Sequence, residues 1–223
     1  MPMRGTGIVA RELSESLYNL QQLLMEPSMH ELFARIAETC GDVLKRGGKI
    51  IFAGNGMAAT TAQQCAYMLT HGVKAKRSGL AALALSVDGA VLSGVAAQEG
   101  FDKVFSRQIE AIGRPGDLFV AFSPSADEPN LLQALDKAKQ RNMICVGFTG
   151  RDGKTMLALC DALIRVPSNS APRVCEAHTV LATLLATLTE TAYFNEKEWE
   201  EDAPTQKENV FSFREARESK ENW

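Results

Sequence analysis

The chain has 223 residues, 45% of them hydrophobic, which suits one folded domain and is too apolar for a wholly disordered chain. Its 24 basic and 27 acidic residues give a net charge of −3, a balance that argues against a nucleic-acid-binding surface. No apolar run approaches the roughly 20 residues that a bilayer span needs, and no signal peptide is visible. We therefore expect a cytoplasmic protein without direct membrane or nucleic-acid contacts.

The cysteines are five in number, and no C-x-x-C pair occurs among them. An odd count of thiols, mostly inside apolar stretches, predicts buried free cysteines rather than disulfides or a zinc site. They are Cys40, Cys65, Cys145, Cys160 and Cys175.

The first 48 residues predict a pair of helices that belongs to the domain and offers an oligomer contact. Leucines recur at steps of four, three and four, which places them on one helical face, and Pro27 ends this helix. Ser28 is the predicted N-cap of the second helix, and Gly47-Gly48 follows its end. The leucines are Leu13, Leu17, Leu20 and Leu24.

From residue 49 to residue 194, short apolar runs alternate with helix-like segments. Runs without polar alternation are typical of strands covered on both faces. Five such strands separated by helices predict an α/β fold, a three-layer α/β/α sandwich with a five-stranded parallel sheet. The predicted strands are Lys49–Ala53, Leu80–Leu85, Leu118–Phe122, Met143–Phe148 and Ala162–Val166. One predicted helix spans Pro129–Gln140, and the last long helix runs from about Arg173 to Phe194.

Residues Asn195–Trp223 form an acidic C-terminal tail, with nine acidic and five basic residues. Disorder is one interpretation of this composition. Docking on a partner protein through Phe211, Phe213 and Trp223 is the other.

Two turns at predicted strand ends are where ligands bind in parallel α/β sheets. The first is Gly54-Asn55-Gly56, which precedes a helix and is either an anion-binding turn or a tight turn without a ligand. The second begins with Ser123 and Ser125 and ends with Asp127 and Glu128. The two carboxylates suit the start of a helix and are poor neighbours for a phosphate.

In this order, these turns and several longer motifs resemble the sugar isomerase (SIS) domain family. The match is closest to the branch of phosphoheptose isomerases and the DnaA initiator-associating protein. The resemblance covers about residues 32–192. It is carried by GNG at 54–56, LAALALSVD at 80–88, GFDKVFSRQIEAIGRPGD at 100–117, VGFTGRDG at 146–153, IRVPS at 164–168 and RVCEAH at 173–178.

The resemblance implies a phosphate-binding site that this chain has altered. Family members have glycine-serine where this chain has Met57-Ala58. The family's Ser-Thr-Ser-Gly-Asn-Ser loop keeps two serines here, but Glu128 replaces the last one. The candidate ligand-binding residues are Gly54, Asn55, Gly56, Asp88, Ser123, Ser125 and Glu128.

The implied acid/base residues are also replaced. The family's His and Glu on the helix after GNG fall at Gln64 and Met68, and its Gln and His on the last helix fall at Cys175 and Thr183. The family arginine after the first of these helices falls at Gly72. We therefore expect no catalytic residue at these positions, no zinc site of the kind found in some members, and no cofactor. The histidine of the RVCEAH motif, His178, is expected to pack within the last helix.

These replacements predict a phosphoheptose isomerase-like protein that lacks isomerase activity, a pseudoenzyme that binds a carbohydrate derivative or serves as a regulatory or scaffold subunit. The alternative is an active phosphoheptose isomerase, converting a ketose phosphate to an aldose phosphate, with a rearranged site that uses His178 or Asp88. A third hypothesis is a binding module for an amine or hydroxyl-rich ligand. The family resemblance implies a homotetramer or a hetero-oligomer with an active paralogue.

Overall fold

The computed structural model describes residues 6–72 and 77–194, so the tail Asn195–Trp223 lies outside the described residues. Within these ranges, helices and strands alternate after an N-terminal helical pair. The helices are α1 (Thr6–Leu24), α2 (Pro27–Lys45), α3 (Met57–His71), α4 (Gly89–Glu99), α5 (Ser106–Ile112), α6 (Pro129–Gln140), α7 (Lys154–Leu157) and α8 (Ala171–Phe194). The strands are β1 (Ile50–Gly54), β2 (Ala82–Ala84), β3 (Leu118–Ser123), β4 (Ile144–Thr149) and β5 (Ala162–Arg165).

The five strands form one parallel sheet in the order β2-β1-β3-β4-β5. Strand β3 is buried along its whole length, as expected for a strand covered on both faces. One apolar core lies on the side of α2, α3 and α8, and a second lies on the side of α5 and α6. The predicted three-layer α/β fold is confirmed.

The sheet order has a consequence for function. The chain leaves β1 toward one edge to form β2 and then returns to the other side of β1 to form β3. The connections after β1 and β3 therefore diverge at a topological switch point, which is where parallel sheets open a crevice for ligands. Both strand-end turns singled out from the sequence lie at this point.

The start of α2 differs from the prediction. Glu26 rather than Ser28 occupies the N-cap, without a side-chain cap, and Pro27 opens the helix. The Ser28 hydroxyl donates instead to the Glu26 carboxylate at 2.5 Å. The prediction for Ser28 was wrong because proline is favoured at the first helical position, which moves the cap one residue before it.

The predicted apolar stripe of α1 is largely exposed in the single chain. Leu13 is 65% exposed and Leu24 is 72% exposed, whereas the polar Asn19 is buried. Helix α1 contacts α8 through polar groups: Arg173 of α8 donates to the Glu12 carbonyl oxygen and to Ser16 Oγ. The stripe is thus left available for contacts outside the chain.

Candidate functional site

The turn after β1 is shaped by close packing of the backbone. A Cβ atom on Gly54 would lie 2.5 Å from the carbonyl oxygen of Ala58, and Gly56 has a φ of +53°. Glycine is therefore required at Gly54 to bring the strand end against α3, and it is favoured at Gly56 by the backbone angle. The close contact at Gly54 and the backbone angle at Gly56 account for both glycines as parts of a tight turn. A ligand role for the turn stays a prediction.

Asn55, between the two glycines, joins this turn to the start of α6. Its side-chain amide pairs with that of Asn130, each Nδ2 lying 2.9 Å from the other's Oδ1. Asn130 is only 2% exposed, and its Oδ1 also accepts from the backbone N–H of Leu131. The sequence alone did not single out Asn130, although a polar residue in the first turn of a helix that follows a strand end is a usable signal.

In the turn after β3, a serine and a glutamate are hydrogen-bonded to each other. The buried Ser123 hydroxyl donates to the Glu128 carboxylate and accepts from the backbone N–H of Ala126 at 2.9 Å. Asn55 Nδ2 lies 3.4 Å from Glu128 Oε1. Glu128 is the N-cap residue of α6, but its side chain makes no cap hydrogen bond. Its carboxylate is directed instead to the strand ends.

The environment of Glu128 disfavours its charge. Burial raises the pKa of Glu128, and the neighbouring Asp127 raises it further, against the hydrogen bond from Asn55. The same carboxylate acts on α8, because the pKa of the Cys175 thiol is raised by burial first and then by Glu128 and Glu176. Glu128 and Cys175 thus lie within electrostatic reach of each other.

The remaining candidates lie on the surface. Ser125 and Gly56 are exposed. Asp88 is exposed as well, and its carboxylate accepts from the backbone N–H groups of Ala90 and Val91, each at 3.0 Å. Asp88 therefore caps α4, which occupies the carboxylate with a structural role.

A second polar set lies between α3 and α8. Gln64 Nε2 donates to Thr183 Oγ1 at 2.9 Å and lies 3.8 Å from the Met68 sulfur. Met68 is buried, with 9% exposure, while Thr183 is exposed. The structure brings these three residues together on facing helices.

Comparisons with known proteins identify the fold and its relatives. The SIS domain family model matches residues 17–150. The chain belongs to the SIS domain family. Phosphoheptose isomerase from Burkholderia pseudomallei is 34% identical over 197 residues, covering 88% of this chain and all of that protein. Phosphoheptose isomerase from Paramagnetospirillum magneticum is 42% identical over 158 residues, covering 71% of this chain and 82% of that one.

A solved structure agrees with these relatives. The structure of phosphoheptose isomerase GmhA from Neisseria gonorrhoeae superposes with a TM-score of 0.78 and 32% identity, covering 83% of this chain and 98% of that one. The chain is therefore a phosphoheptose isomerase-like SIS protein. Among the helices that the structure describes, none has the length and apolar character needed to cross a membrane.

The side chains at the four positions where the family resemblance places acid and base groups do not suit zinc. An amide and a hydroxyl at Gln64 and Thr183 bond to each other, and Met68 offers a weak thioether ligand. Zinc prefers thiolate, imidazole and carboxylate ligands, and the raised pKa of Cys175 disfavours its thiolate. Within residues 6–72 and 77–194, no three His, Cys, Asp or Glu side chains are grouped closely enough to hold a metal.

His178 of the RVCEAH segment lies in the core. It is fully buried, its Nε2 lies 3.4 Å from the Thr149 carbonyl oxygen, and its ring packs against Phe122 and Phe148. Burial lowers the pKa of His178 to about 4, so the ring is neutral near pH 7. The packing role predicted from the sequence agrees with this environment.

The thiols are free in the described chain, and their reactivity is low. Cys40, Cys65, Cys145 and Cys175 are buried, and Cys160 is half-buried. Burial raises the pKa of Cys65, whose Sγ lies 3.4 Å from the Ala182 carbonyl oxygen. A nucleophilic thiolate needs the opposite shift, so Cys65 is a structural residue.

One cation was not predicted from the sequence. The family resemblance places an arginine at Gly72, whereas in the structure the Arg77 guanidinium donates to the carbonyl oxygens of Leu69 and Met68 at the end of α3, at 2.9 and 3.4 Å. Arg77 also pairs with Glu190 of α8 at 2.9 Å, and both side chains are less than 10% exposed. This cation is buried in helix contacts.

Proposed function

We propose that this protein is an SIS-domain carbohydrate-derivative-binding protein that does not catalyse isomerisation and acts as a regulatory or scaffold subunit. This proposal rests on the side chains found at the four positions where the family resemblance places acid and base groups. Gln64 and Thr183 bond to each other, Met68 is apolar and buried, and Cys175 is a buried thiol with a raised pKa.

The chemistry of aldose–ketose isomerisation explains why this matters. The reaction moves a proton between adjacent carbons, which requires a group that accepts and returns a proton near neutral pH. An amide, a thioether and an aliphatic hydroxyl do not titrate in that range, and a thiol with a raised pKa stays protonated. None of the four side chains can therefore perform this step.

A binding role is supported by what remains at the switch point. The turns after β1 and β3 retain the hydrogen-bonding groups of Asn55, Ser123 and Glu128, held in place by the buried Asn130. Polar groups fixed at the carboxyl ends of parallel strands are the usual means by which this kind of fold orients a small ligand.

The second candidate function is an active phosphoheptose isomerase with a rearranged site. It is favoured by the relatives, since proteins named phosphoheptose isomerase are 34% to 42% identical to this chain. Of the residues available for proton transfer, His178 is buried in the core and Asp88 caps α4, which leaves Glu128 with its raised pKa as the best base. In this case, turnover should be lost in Glu128→Gln.

The two functions are separated by incubating the purified full-length protein with sedoheptulose 7-phosphate and following aldose phosphate formation. The proposed function predicts no turnover above the buffer background. Turnover that disappears in Glu128→Gln supports an isomerase that uses Glu128. Turnover that survives in Glu128→Gln but is lost in an Asp88 or His178 variant supports the rearranged site expected from the sequence.

We also propose that the protein is cytoplasmic and assembles as a homotetramer or as a hetero-oligomer with an active paralogue. Exposed apolar side chains on α1 and α8 support assembly, and the free thiols are compatible with a reducing compartment. The apolar residues are Ile8, Val9, Leu13, Leu17, Val180 and Leu184. Light scattering of the full chain, alone and with the paralogue, tests the assembly. The docking role of residues Asn195–Trp223 stays a prediction.

A further inference from the structure

The N-terminus of α6 meets the ends of β1 and β3 in a small polar cluster. Its side-chain donors are the hydroxyl of Ser123 and the amide of Asn55, which lie beside the N-terminus of a 12-residue helix. Hydroxyl and amide donors beside the positive end of a helix dipole form a favourable environment for an anion. In the structure, the Glu128 carboxylate occupies this environment.

Glu128 takes up the donors that an incoming anion would need. Ser123 is only 1% exposed, its hydrogen goes to the Glu128 carboxylate, and its oxygen accepts from the Ala126 N–H. Ser123 therefore has no second hydrogen to offer. Asn55 Nδ2 is shared between Glu128 Oε1 at 3.4 Å and Asn130 Oδ1 at 2.9 Å.

The Glu128 carboxylate has no ion-pair partner among residues 6–72 and 77–194. The ion pairs within 4 Å in these ranges do not include Glu128. A phosphate group brought to Ser123 and Asn55 would meet a like charge without a counterion. Placing like charges together in this way weakens the binding of the phosphate.

We infer that Glu128 is the specificity-determining residue of this site: its carboxylate occupies the anion position and restricts the ligand to sugar derivatives that bring no phosphate there. This inference rests on the proposed binding function and specifies its ligand class. A neutral hydroxyl or an amine can donate to the Glu128 carboxylate, whereas the deprotonated oxygens of a phosphate can only accept and carry a charge of the same sign. The expected ligands therefore do not include sugar phosphates that bind these turns through their phosphate group.

The inference is tested by the binding of inorganic phosphate, measured by calorimetry at fixed ionic strength on the wild type and three variants. Glu128→Ser removes the carboxylate and supplies a hydroxyl, and Glu128→Gln removes the charge while preserving the shape of the side chain. Asp127→Asn is the matched control, because it removes an adjacent exposed charge that makes no contact with Ser123 or Asn55.

We expect Glu128→Ser to bind phosphate at least about tenfold more tightly than the wild type, and Glu128→Gln to change in the same direction. Asp127→Asn should stay within about twofold of the wild type, because its charge is solvated. Circular dichroism establishes folding, and Glu128→Gln decides alone if Glu128→Ser does not fold.

The inference is overturned if folded Glu128 variants bind phosphate no better than the wild type, or if Asp127→Asn gains as much as they do. It is also overturned if the wild type binds phosphate as tightly as Glu128→Ser. These outcomes are separate from failure of the proposed function, which is decided by turnover of sedoheptulose 7-phosphate by the wild type.

Discussion

The side-chain amide of Gln64 on α3 donates a 2.9 Å hydrogen bond to the hydroxyl of Thr183 on α8. The family resemblance places a histidine at each of these positions, so a contact between two helices stands where proton transfer would be expected. The Thr183 hydroxyl in turn donates to the Thr179 carbonyl at 3.0 Å. The Gln64 amide and the Thr183 hydroxyl thus both take part in structural hydrogen bonds.

This contact should be a modest stabilising interaction. We expect Gln64→Ala to lower the free energy of unfolding by about 1 kcal/mol, because a partly exposed hydrogen bond contributes little net stability. A double-mutant cycle with Thr183→Val should give a coupling free energy of about 0.5–1 kcal/mol by urea denaturation. A coupling energy of zero would show that the two side chains do not stabilise each other in solution.

The turn after β1 should not accept a side chain at Gly54. Because a Cβ atom there would lie 2.5 Å from the Ala58 carbonyl oxygen, Gly54→Ala is expected to destabilise the protein by about 1–3 kcal/mol. Gly94 in α4 is the matched control, since a Cβ atom there meets no heavy atom within 4 Å. Gly94→Ala should stabilise by about 0.5–1 kcal/mol, since alanine is the better helix former. Thermal denaturation measures both, and equal effects of the two substitutions would contradict the packing argument.

His178 should make stability fall as the pH falls. Its pKa is lowered to about 4 in the fold and returns to its ordinary value of 6.5 on unfolding, so the unfolded chain binds the proton more readily between these values. The contribution of His178 to stability is complete above pH 6.5 and is lost progressively toward pH 4. The loss amounts to about 3 kcal/mol.

The measurement is urea denaturation of the wild type and His178→Leu at several pH values from 7.5 to 4. The other groups titrate in both proteins, so the difference between the two curves isolates His178. As the pH falls, the wild type should lose stability relative to His178→Leu by up to about 3 kcal/mol. Parallel curves would mean that the imidazole is accessible to protons in the folded state.

The pair of Arg77 and Glu190 should be important for stability because both groups are buried. Glu190→Gln is expected to lower the free energy of unfolding by about 3–5 kcal/mol, since it leaves the Arg77 guanidinium without its counterion. Glu110→Gln is the control, because Glu110 forms a comparable 2.8 Å pair with Arg107 on the surface. That substitution should change stability little. A similar small effect at Glu190 would show that the carbonyl groups around Arg77 compensate for the lost charge.

Much of the fold could be predicted from the sequence because burial leaves a local pattern. The strand predicted at Leu118–Phe122 forms at Leu118–Ser123, and the helix predicted at Pro129–Gln140 has those bounds in the structure. Both are signalled by apolar runs and by proline at a helix start, which depend only on neighbouring residues.

The candidate site was less predictable, because its contacts join residues far apart in the chain. Charge alone indicated that Glu128 would repel phosphate, but not that it would accept from Ser123. Between these two residues the chain passes through Ala126, which has a left-handed φ of +63° although alanine does not signal such a conformation. The pairing of Asn55 with Asn130 joins residues 75 positions apart and leaves no periodic pattern.

The most direct test of the central claim is the turnover of sedoheptulose 7-phosphate by the purified full-length protein, followed by the appearance of aldose phosphate. A homologous phosphoheptose isomerase, such as that of Burkholderia pseudomallei, provides the positive control under the same conditions. We predict that this chain forms no product above the buffer background. A rate comparable to that of the homologue would contradict the account.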